Sequence, residues 1–227
     1  MLISIIIPVL NEEKRLAALI NYLRELADKQ LPPLEIIVVD GGSTDASLSI
    51  AADLADDVAK TLACRAAQMN EGARLASGDV LVFLHADSWP ANNLFSQCGQ
   101  LIGSNRLWCF SKVRLDDEAF VFRVIEWFMN TRSTMSGIAT GDQTVCVKSS
   151  TFDQLNGYAD IPLMEDIELS RRLKRVSRPI VFDERVVCST RKWRKNGVIK
   201  TVLMMWLLRA GYFLGTSPAR LHAIYYG

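Results

Sequence analysis

Residues 80–87 read Val-Leu-Val-Phe-Leu-His-Ala-Asp. The apolar run is unbroken until it ends in His85-Ala86-Asp87. Such a run marks a strand covered on both faces, as in a parallel sheet, and its polar ending marks the carboxyl end. Ligands of open α/β sheets bind in the crevice beyond those ends. Asp87 is therefore expected at a crevice. A strand followed by an ordinary Asp turn explains the same eight residues, so the choice rests on the other segments.

Working toward the amino end, residues 3–9 are β-branched and stop at Pro8 and Asn11, a first buried strand. Leu16, Leu19, Ile20, Leu23 and Leu26 then recur at helical spacing, a stripe that faces a sheet. Pro32-Pro33 ends that helix. Residues 35–39 are a second strand, delivered into Asp40-Gly41-Gly42-Ser43-Thr44-Asp45. The glycines allow a tight turn, and Ser43 or Thr44 is a cap for a helix over 45–55. A short strand over 58–62 and a helix over 64–77, stopped by Gly78, lead back to residue 80. Strand and helix alternate throughout. That predicts a parallel, doubly wound sheet in which Asp40 and Asp87 open on the same edge.

Working toward the carboxyl end, the pattern predicts a helix over 92–102 and a strand over 107–115. An aromatic-rich helix over 119–130 follows, then a mobile loop over 131–140. A strand over 143–147, a short helix over 149–155 and a turn at Asn156-Gly157-Tyr158 come next. A helix starts at Met164-Glu165-Asp166, and short strands cover 180–182 and 185–188. Residues 198–214 form a mostly apolar helix interrupted by Lys200, Arg209 and Gly211, too short between charges to span a bilayer. Trp206, Leu207, Tyr212 and Phe213 require cover, from the core, a second copy or a membrane surface.

The chain has 227 residues and a formal net charge of +1, so no global attraction to nucleic acid is implied. Charge is uneven, however. Residues 171–195 carry ten Lys or Arg against Asp183 and Glu184, either a solvated face or a site for phosphate. Five scattered cysteines with no Cys-x-x-Cys read as reduced thiols of a cytoplasmic protein. Two histidines, His85 and His222, exclude a histidine-rich metal site and argue against a Ser-His-Asp triad. The apolar opening runs straight into Asn11-Glu12-Glu13-Lys14 and lacks a basic leader, so it reads as a strand and not a signal peptide.

Five ordered segments share a further property. They are Ile6-Ile-Pro-Val-Leu-Asn-Glu12, Val38-Val-Asp-Gly-Gly-Ser-Thr-Asp45, Arg65-Ala-Ala-Gln-Met-Asn-Glu-Gly72, Phe83-Leu-His-Ala-Asp87 and Glu165-Asp166. Together they resemble the family 2 glycosyltransferases of the GT-A fold, and more closely the short bacterial members with Leu-His-Ala-Asp. The resemblance covers about residues 1–190. It implies a Rossmann-like, mostly parallel sheet flanked by helices, with a nucleotide-binding half over 1–90 and an acceptor half over 91–190. Residues 191–227 would be a C-terminal apolar helical extension.

A nucleotide-sugar site needs a polar reader for base and ribose, positive charge for the diphosphate and a base for the incoming hydroxyl. The resemblance implies that Asp40 reads uracil and that Pro8, Asn11 and Gly41 belong to the nucleotide-sugar site, while Glu12, beyond the first strand, is a candidate for the ribose. Glu12 is equally a first-turn helix charge. Arg65 and Gln68, at the start of a helix, would touch the nucleotide. Asp87 would ligate Mn²⁺ or Mg²⁺, with Ala86 beside it, and the cation would offset charge on the departing diphosphate. Most relatives carry Asp-x-Asp, whereas here His85 replaces the first Asp; His85 ligates the metal, bonds to phosphate or packs. Asp166, preceded by Glu165, is the expected general base, and one of these adjacent carboxylates should have a raised pKa. Asp142 is a second site carboxylate for sugar or acceptor hydroxyls.

Arg191, Lys192, Trp193 and Arg194 fall where relatives close over the diphosphate. The processive Gln-x-x-Arg-Trp pattern is absent, since Thr190-Arg191-Lys192-Trp193 stands there. The resemblance thus implies inverting transfer of a single sugar from a donor, UDP-linked by expectation, to the hydroxyl of an unidentified saccharide, lipid or small molecule. Nucleic acid is not expected as a partner. Two alternatives stand beside it. One is transfer to a polyprenyl phosphate at the inner membrane face. The other is a non-catalytic nucleotide-binding module that uses the C-terminal helix to hold a partner.

Overall fold

The computed structural model describes residues 1–30 and 33–226. The chain opens with β1 (Ile3–Val9), α1 (Glu13–Gln30), β2 (Leu34–Asp40), α2 (Ser47–Leu54), β3 (Asp57–Lys60), α3 (Arg65–Leu75) and β4 (Val80–Phe83). These four strands are parallel, in the order β3-β2-β1-β4. Ile3, Ile5 and Ile7 of β1 pack with the buried α1 stripe Leu16, Leu19, Ile20, Leu23 and Leu26. Ile6, on the opposite face, packs with Met69 of α3 and Phe83 of β4. Both faces are covered, which is why the strand shows no polar alternation. Its single polar residue, Ser4, is fully buried and satisfied by Glu35 and by the Gly78 N–H at 2.9 Å.

The chain continues through β5 (Ser88–Trp89), α4 (Leu94–Ile102), β6 (Trp108–Leu115) and α5 (Phe120–Ser136). A 3-10 turn (Gly141–Gln143), β7 (Val145–Lys148), α6 (Ser149–Gln154), α7 (Glu165–Val176) and β8 (Ile180–Cys188) follow. Three helices end it: α8 (Arg191–Asn196), α9 (Val198–Phe213) and α10 (Pro218–Tyr226). Strand β7 lies antiparallel beside β4, and β6, β8 and β5 extend the sheet to eight strands, in the order β3-β2-β1-β4-β7-β6-β8-β5. The expected α/β architecture is present, parallel through its first half and mixed beyond β4. All five cysteines are free.

Several local expectations need correction. The organising strand stops at Phe83; Leu84 N–H still donates to the Ile6 carbonyl at 3.0 Å, and the chain then turns at 86–87, closed by Ser88 N–H donating to the His85 carbonyl at 3.0 Å. Gly78 is not a helix cap: α3 ends at Leu75, and a Cβ on Gly78 would lie 2.5 Å from Ser4 Oγ and 2.7 Å from Ser4 N. Ser43 and Thr44 do not cap α2, whose first residue is Ser47; they bond across to Asn11 instead. Residues 131–136 continue α5 for more than a turn, where a mobile loop was expected. The strands expected over 180–182 and 185–188 are one strand, β8, with a register shift opposite Ser111 and Lys112. Within the expected helical extension, Arg191 begins a short helix, and α10 is a separate helix that the sequence pattern did not delimit. Pro32 and Gly227, at one expected helix stop and at the end of the extension, lie outside the described residues.

The C-terminal helices are part of the fold's wall. Leu208 of α9 and Leu221 of α10 are buried against Met164 and Ile167, which flank Glu165 and Asp166. The Arg171 guanidinium of α7 lies 5.8 Å from the centre of the Phe213 ring. The other face of α9 is bare: Ile199, Leu203, Trp206, Leu207 and Phe213 are exposed. That overturns core burial as the cover for Trp206, Leu207 and Phe213. No helix among the described residues is long and apolar enough to cross a membrane.

Candidate active site

Three strand ends define one edge. Val9 pairs with Asp40 across β1 and β2, and Ile6 pairs with Phe83 across β1 and β4. The segments that leave these ends are Asn11-Glu12, Asp40-Gly41-Gly42 and His85-Ala86-Asp87. Strand order reverses at β1, so this is the switch point at which an open α/β sheet forms its crevice.

The β1–β2 side is a closed polar network. Asp40 is 2 % exposed, and its carboxylate accepts from the N–H groups of Gly42 and Ser43, each at 3.0 Å. Asn11, with φ of 55°, accepts from Thr44 N–H at 2.8 Å, and its own N–H donates to Ser43 Oγ. The buried Gln68 amide donates to the Val9 carbonyl at 3.0 Å and to the Val39 carbonyl at 2.8 Å. Its N–H groups are thus spent on the strand ends, beneath Gly41, and the expected nucleotide contact gives way to a staple. Ala86 likewise packs in the core, leaving only its backbone near the crevice. Pro8 is half-buried within β1, opposite Val39.

On the β4 side the pairing is incomplete. His85 is 8 % exposed, with Nδ1 3.6 Å from Asp142 Oδ1 and Nε2 buried without a partner. The Cε1–Nε2 edge of its ring abuts Gly141, where a Cβ would sit 2.4 Å from the imidazole. Only glycine lets the 3-10 turn approach so closely. Burial alone would raise the Asp142 pKa, but the His85 imidazole, Arg65 and Lys192 hold it below the usual range.

Glu165 and Asp166 begin α7 and enter the crevice from the far side. Asp166 is anchored, accepting from Gly141 N–H at 2.9 Å and from Ile167 N–H at 2.7 Å. Glu165 is 6 % exposed, and burial, then repulsion from Asp166, push its pKa up to about 7, with Arg65 opposing. The expectation that one member of this pair is raised therefore applies to Glu165. Arg65, exposed at the start of α3, loses hydration to its surroundings. Glu165, Tyr226, Asp142 and Asp166 more than compensate and raise its pKa.

Helix α8 closes the remaining side. Arg191 Nη2 donates to Glu12 Oε1 at 2.8 Å, so these two expected site residues bridge the crevice mouth. Burial, then Arg65, lower the Lys192 pKa, while Asp87, Asp142 and Glu12 act in the opposite direction. Lys192 is thus a cation held among the carboxylates of the site. Sequence reasoning missed Tyr225 and Tyr226 of α10, which lie close enough to Arg65 for their charges to couple. The available signal was Ser217-Pro218, a helix start, followed by apolar Leu221 and Ile224.

The donor chemistry suits a hard cation in one circumstance. Among the described residues no three His, Cys, Asp or Glu side chains cluster to chelate a metal. Asp87 offers a single carboxylate at a loop beyond a strand end. Mg²⁺ and related cations accept such sparse protein ligation when phosphate oxygens and water complete the shell. Asp87 therefore fits a cation that arrives with a diphosphate.

The sequence profile of Glycosyl transferase family 2 matches residues 4–152. This chain belongs to glycosyltransferase family 2. One similar curated protein is the undecaprenyl-phosphate 4-deoxy-4-formamido-L-arabinose transferase of Pectobacterium atrosepticum, 36% identical over 93 residues, which are 37% of this chain and 28% of that protein. The chain thus spans well under half the length of that relative. Similar folds include the Pyrobaculum calidifontis mannosyltransferase PcManGT in complex with GDP-Man and Mn2+, at TM-score 0.62 and 21% identity, covering 82% of this chain and 56% of that one. Glucosyl-3-phosphoglycerate synthase from Mycobacterium tuberculosis, in complex with phosphoglyceric acid, has TM-score 0.61 and 19% identity over 92% of this chain and 80% of that one. S. aureus TarS 1-349 in complex with UDP-GlcNAc has TM-score 0.63 and 15% identity, over 83% and 58%. At these identities the likeness establishes the GT-A fold that the family 2 chain shares with them.

Proposed function

We propose that this glycosyltransferase moves one sugar from a nucleoside diphosphate sugar, UDP-linked, to an acceptor hydroxyl with inversion at the anomeric carbon. The observation that carries this reading is the crevice itself. Asp40 on β2, Asp87 after β4, Arg65 on α3 and the Glu165-Asp166 pair on α7 border one edge of the sheet. Asp40 retains lone pairs for a base N–H, and Arg65 and Lys192 supply positive charge for the diphosphate. Asp87 would hold Mg²⁺ or Mn²⁺, which supplies further charge at the leaving group when bound.

In the transfer, the acceptor oxygen attacks the anomeric carbon from the face opposite the diphosphate. The bond from that carbon to the diphosphate oxygen breaks, and the electron pair leaves with the diphosphate. The acceptor proton passes to Asp166, whose oxygens are fixed by the N–H groups of Gly141 and Ile167 yet keep free lone pairs. General-base catalysis of this kind contributes roughly 10²–10⁴-fold. The test is transfer or donor hydrolysis across a panel of nucleotide sugars with Mn²⁺. Activity should fall by about 100-fold or more in Asp166→Ala and Asp87→Ala; full activity in both variants contradicts the assignment.

A second acceptor reading has an observation of its own. The outer face of α9 presents Ile199, Leu203, Trp206 and Leu207 to solvent, and the Pectobacterium relative is named for transfer to undecaprenyl phosphate. A polyprenyl phosphate oxygen is already ionised and needs no base. With such an acceptor, Asp166→Asn retains most activity, and vesicle binding falls in Trp206→Ser.

A further inference from the structure

Two arginines outside the donor site lack a direct ion-pair partner among the described residues. Arg132 lies near the end of α5 and Arg209 on α9. Arg132 makes one side-chain hydrogen bond, from Nη2 to Ser133 Oγ at 3.2 Å, and its Nε is buried with no partner. A buried donor left unpaired carries its full desolvation cost, and a guanidinium is a five-donor fork shaped for planar oxyanions and phosphates.

The Arg132 guanidinium is tied through Ser133 to the 3-10 turn, and the neighbours of Arg209 on α9 (Met205, Leu208 and Tyr212) pack at the start of α7. Ser133, next to Arg132, is fully buried and donates to Gln143 Oε1 at 2.8 Å, in the turn whose Gly141 N–H holds Asp166. Leu208, next to Arg209, packs on Met164 and Ile167, the residues on either side of Glu165-Asp166. Ile138, just past α5, joins the same cluster. The electrostatics agree. Burial, then the Arg209 charge, lower the Arg132 pKa to about 10, with Asp166 and Asp142 opposing. Arg209 is lowered by burial, again with Asp166 opposing. Two cations thus lie near the proposed catalytic carboxylate, and among the described residues neither is in ion-pair contact with it.

We propose that Arg132 and Arg209 form an acceptor subsite that grips a phosphate group. This rests on the reading of Glu165-Asp166 as the acceptor end of the crevice. It adds the chemical class of the acceptor: a phosphate monoester, borne by a lipid or by a soluble metabolite. For a lipid, the exposed Trp206 and Phe213, three and four residues from Arg209 along α9, lie on the helix that carries the headgroup site.

The test is direct binding to the full chain, by calorimetry, of three probes: farnesyl phosphate, glycerol 3-phosphate and farnesol. UDP binding is measured on the same samples. The expected result is saturable binding of at least one phosphate and none of farnesol. Arg132→Gln and Arg209→Gln should each weaken it at least tenfold, and Arg132→Lys and Arg209→Lys should recover part of the loss. UDP affinity should stay within twofold, which also shows that the variants fold. Preference for farnesyl phosphate assigns a lipid source, and preference for glycerol 3-phosphate a soluble one. Failure of wild type to bind either phosphate, or equal binding by the Gln variants, overturns the subsite. Failure of wild type to bind UDP overturns the donor reading instead, so the two failures are distinguishable.

Discussion

The two sides of the crevice differ in how their polar groups are satisfied. On the β1–β2 side, Asp40, Asn11, Ser43 and Gln68 bond to one another's loops and strand ends, and only at its rim do Glu12 Oε2 and Arg15 Nη1 stay buried without a hydrogen-bond partner among the described residues. On the α7 side, His85 Nε2 and Arg132 Nε are buried without partners, and Glu165 is pushed toward neutrality. A saturated network is rigid and holds its shape before any substrate arrives. An unsaturated one costs stability and has capacity left for a substrate to complete. The contrast suggests a preformed donor seat facing an acceptor end whose charges are balanced only on binding.

The largest effect that can break this contrast is catalytic. With a hydroxyl acceptor, Asp166→Asn lowers kcat by roughly 10²-fold or more, while the KM for the donor changes little, because the base touches only the acceptor. Parallel rises in donor KM would place Asp166 on the donor side.

Next is the pH dependence of stability in the Glu165→Gln variant. The folded pKa of Glu165, about 7, lies above its unfolded value, so the native state binds more protons across that interval. Stability from this group is fully present below the unfolded pKa and is lost as pH rises through about 7. Glu165→Gln should therefore exceed wild type in urea denaturation at pH 8, by as much as about 3 kcal/mol, with little difference at pH 4. An equal difference at both pH values would show that the carboxyl group is not strained by its surroundings.

Two smaller effects test the parallel half of the sheet, one at the edge away from the crevice and one beneath the donor seat. Gly78→Ala places a methyl against backbone that cannot yield, and should cost about 1–3 kcal/mol in chemical denaturation. Gln68→Leu removes the hydrogen bonds to the Val39 and Val9 carbonyls, the latter still held by Gly41 N–H at 2.8 Å, and should cost about 1–2 kcal/mol, together with a measurable loss of UDP affinity. If UDP affinity were unchanged, the staple would not be what shapes the nucleotide seat.

The same division governs how much could be read from the sequence. The first half was legible because each strand and helix there is decided by local pattern. The isoleucines of β1 and the leucine stripe of α1 follow from period alone. Asp40, Arg65 and Asp87 stood out as site candidates because they sit at or just beyond element ends, where the pattern breaks. Beyond β4 the elements depend on distant partners. Residues 131–136, rich in Ser and Thr, read as a loop. They are helical because Asn130 bonds to both backbone groups of Val113, and Ser133 to Gln143, contacts no local window contains. Gln68 looked like a ligand residue because the sequence does not reveal which carbonyls its amide meets. Arg132 and Arg209 are 77 positions apart, and only the packing of α9 and of the segment after α5 around the start of α7 brings their helices together.

The most direct test of the account is a crystal structure of the chain soaked with UDP and Mn²⁺. The account predicts uracil against Asp40, the diphosphate beside Arg65 and Lys192, and the cation on Asp87, with the Glu165-Asp166 end left open for an acceptor. A nucleotide seated anywhere other than this carboxyl edge of the sheet would contradict it.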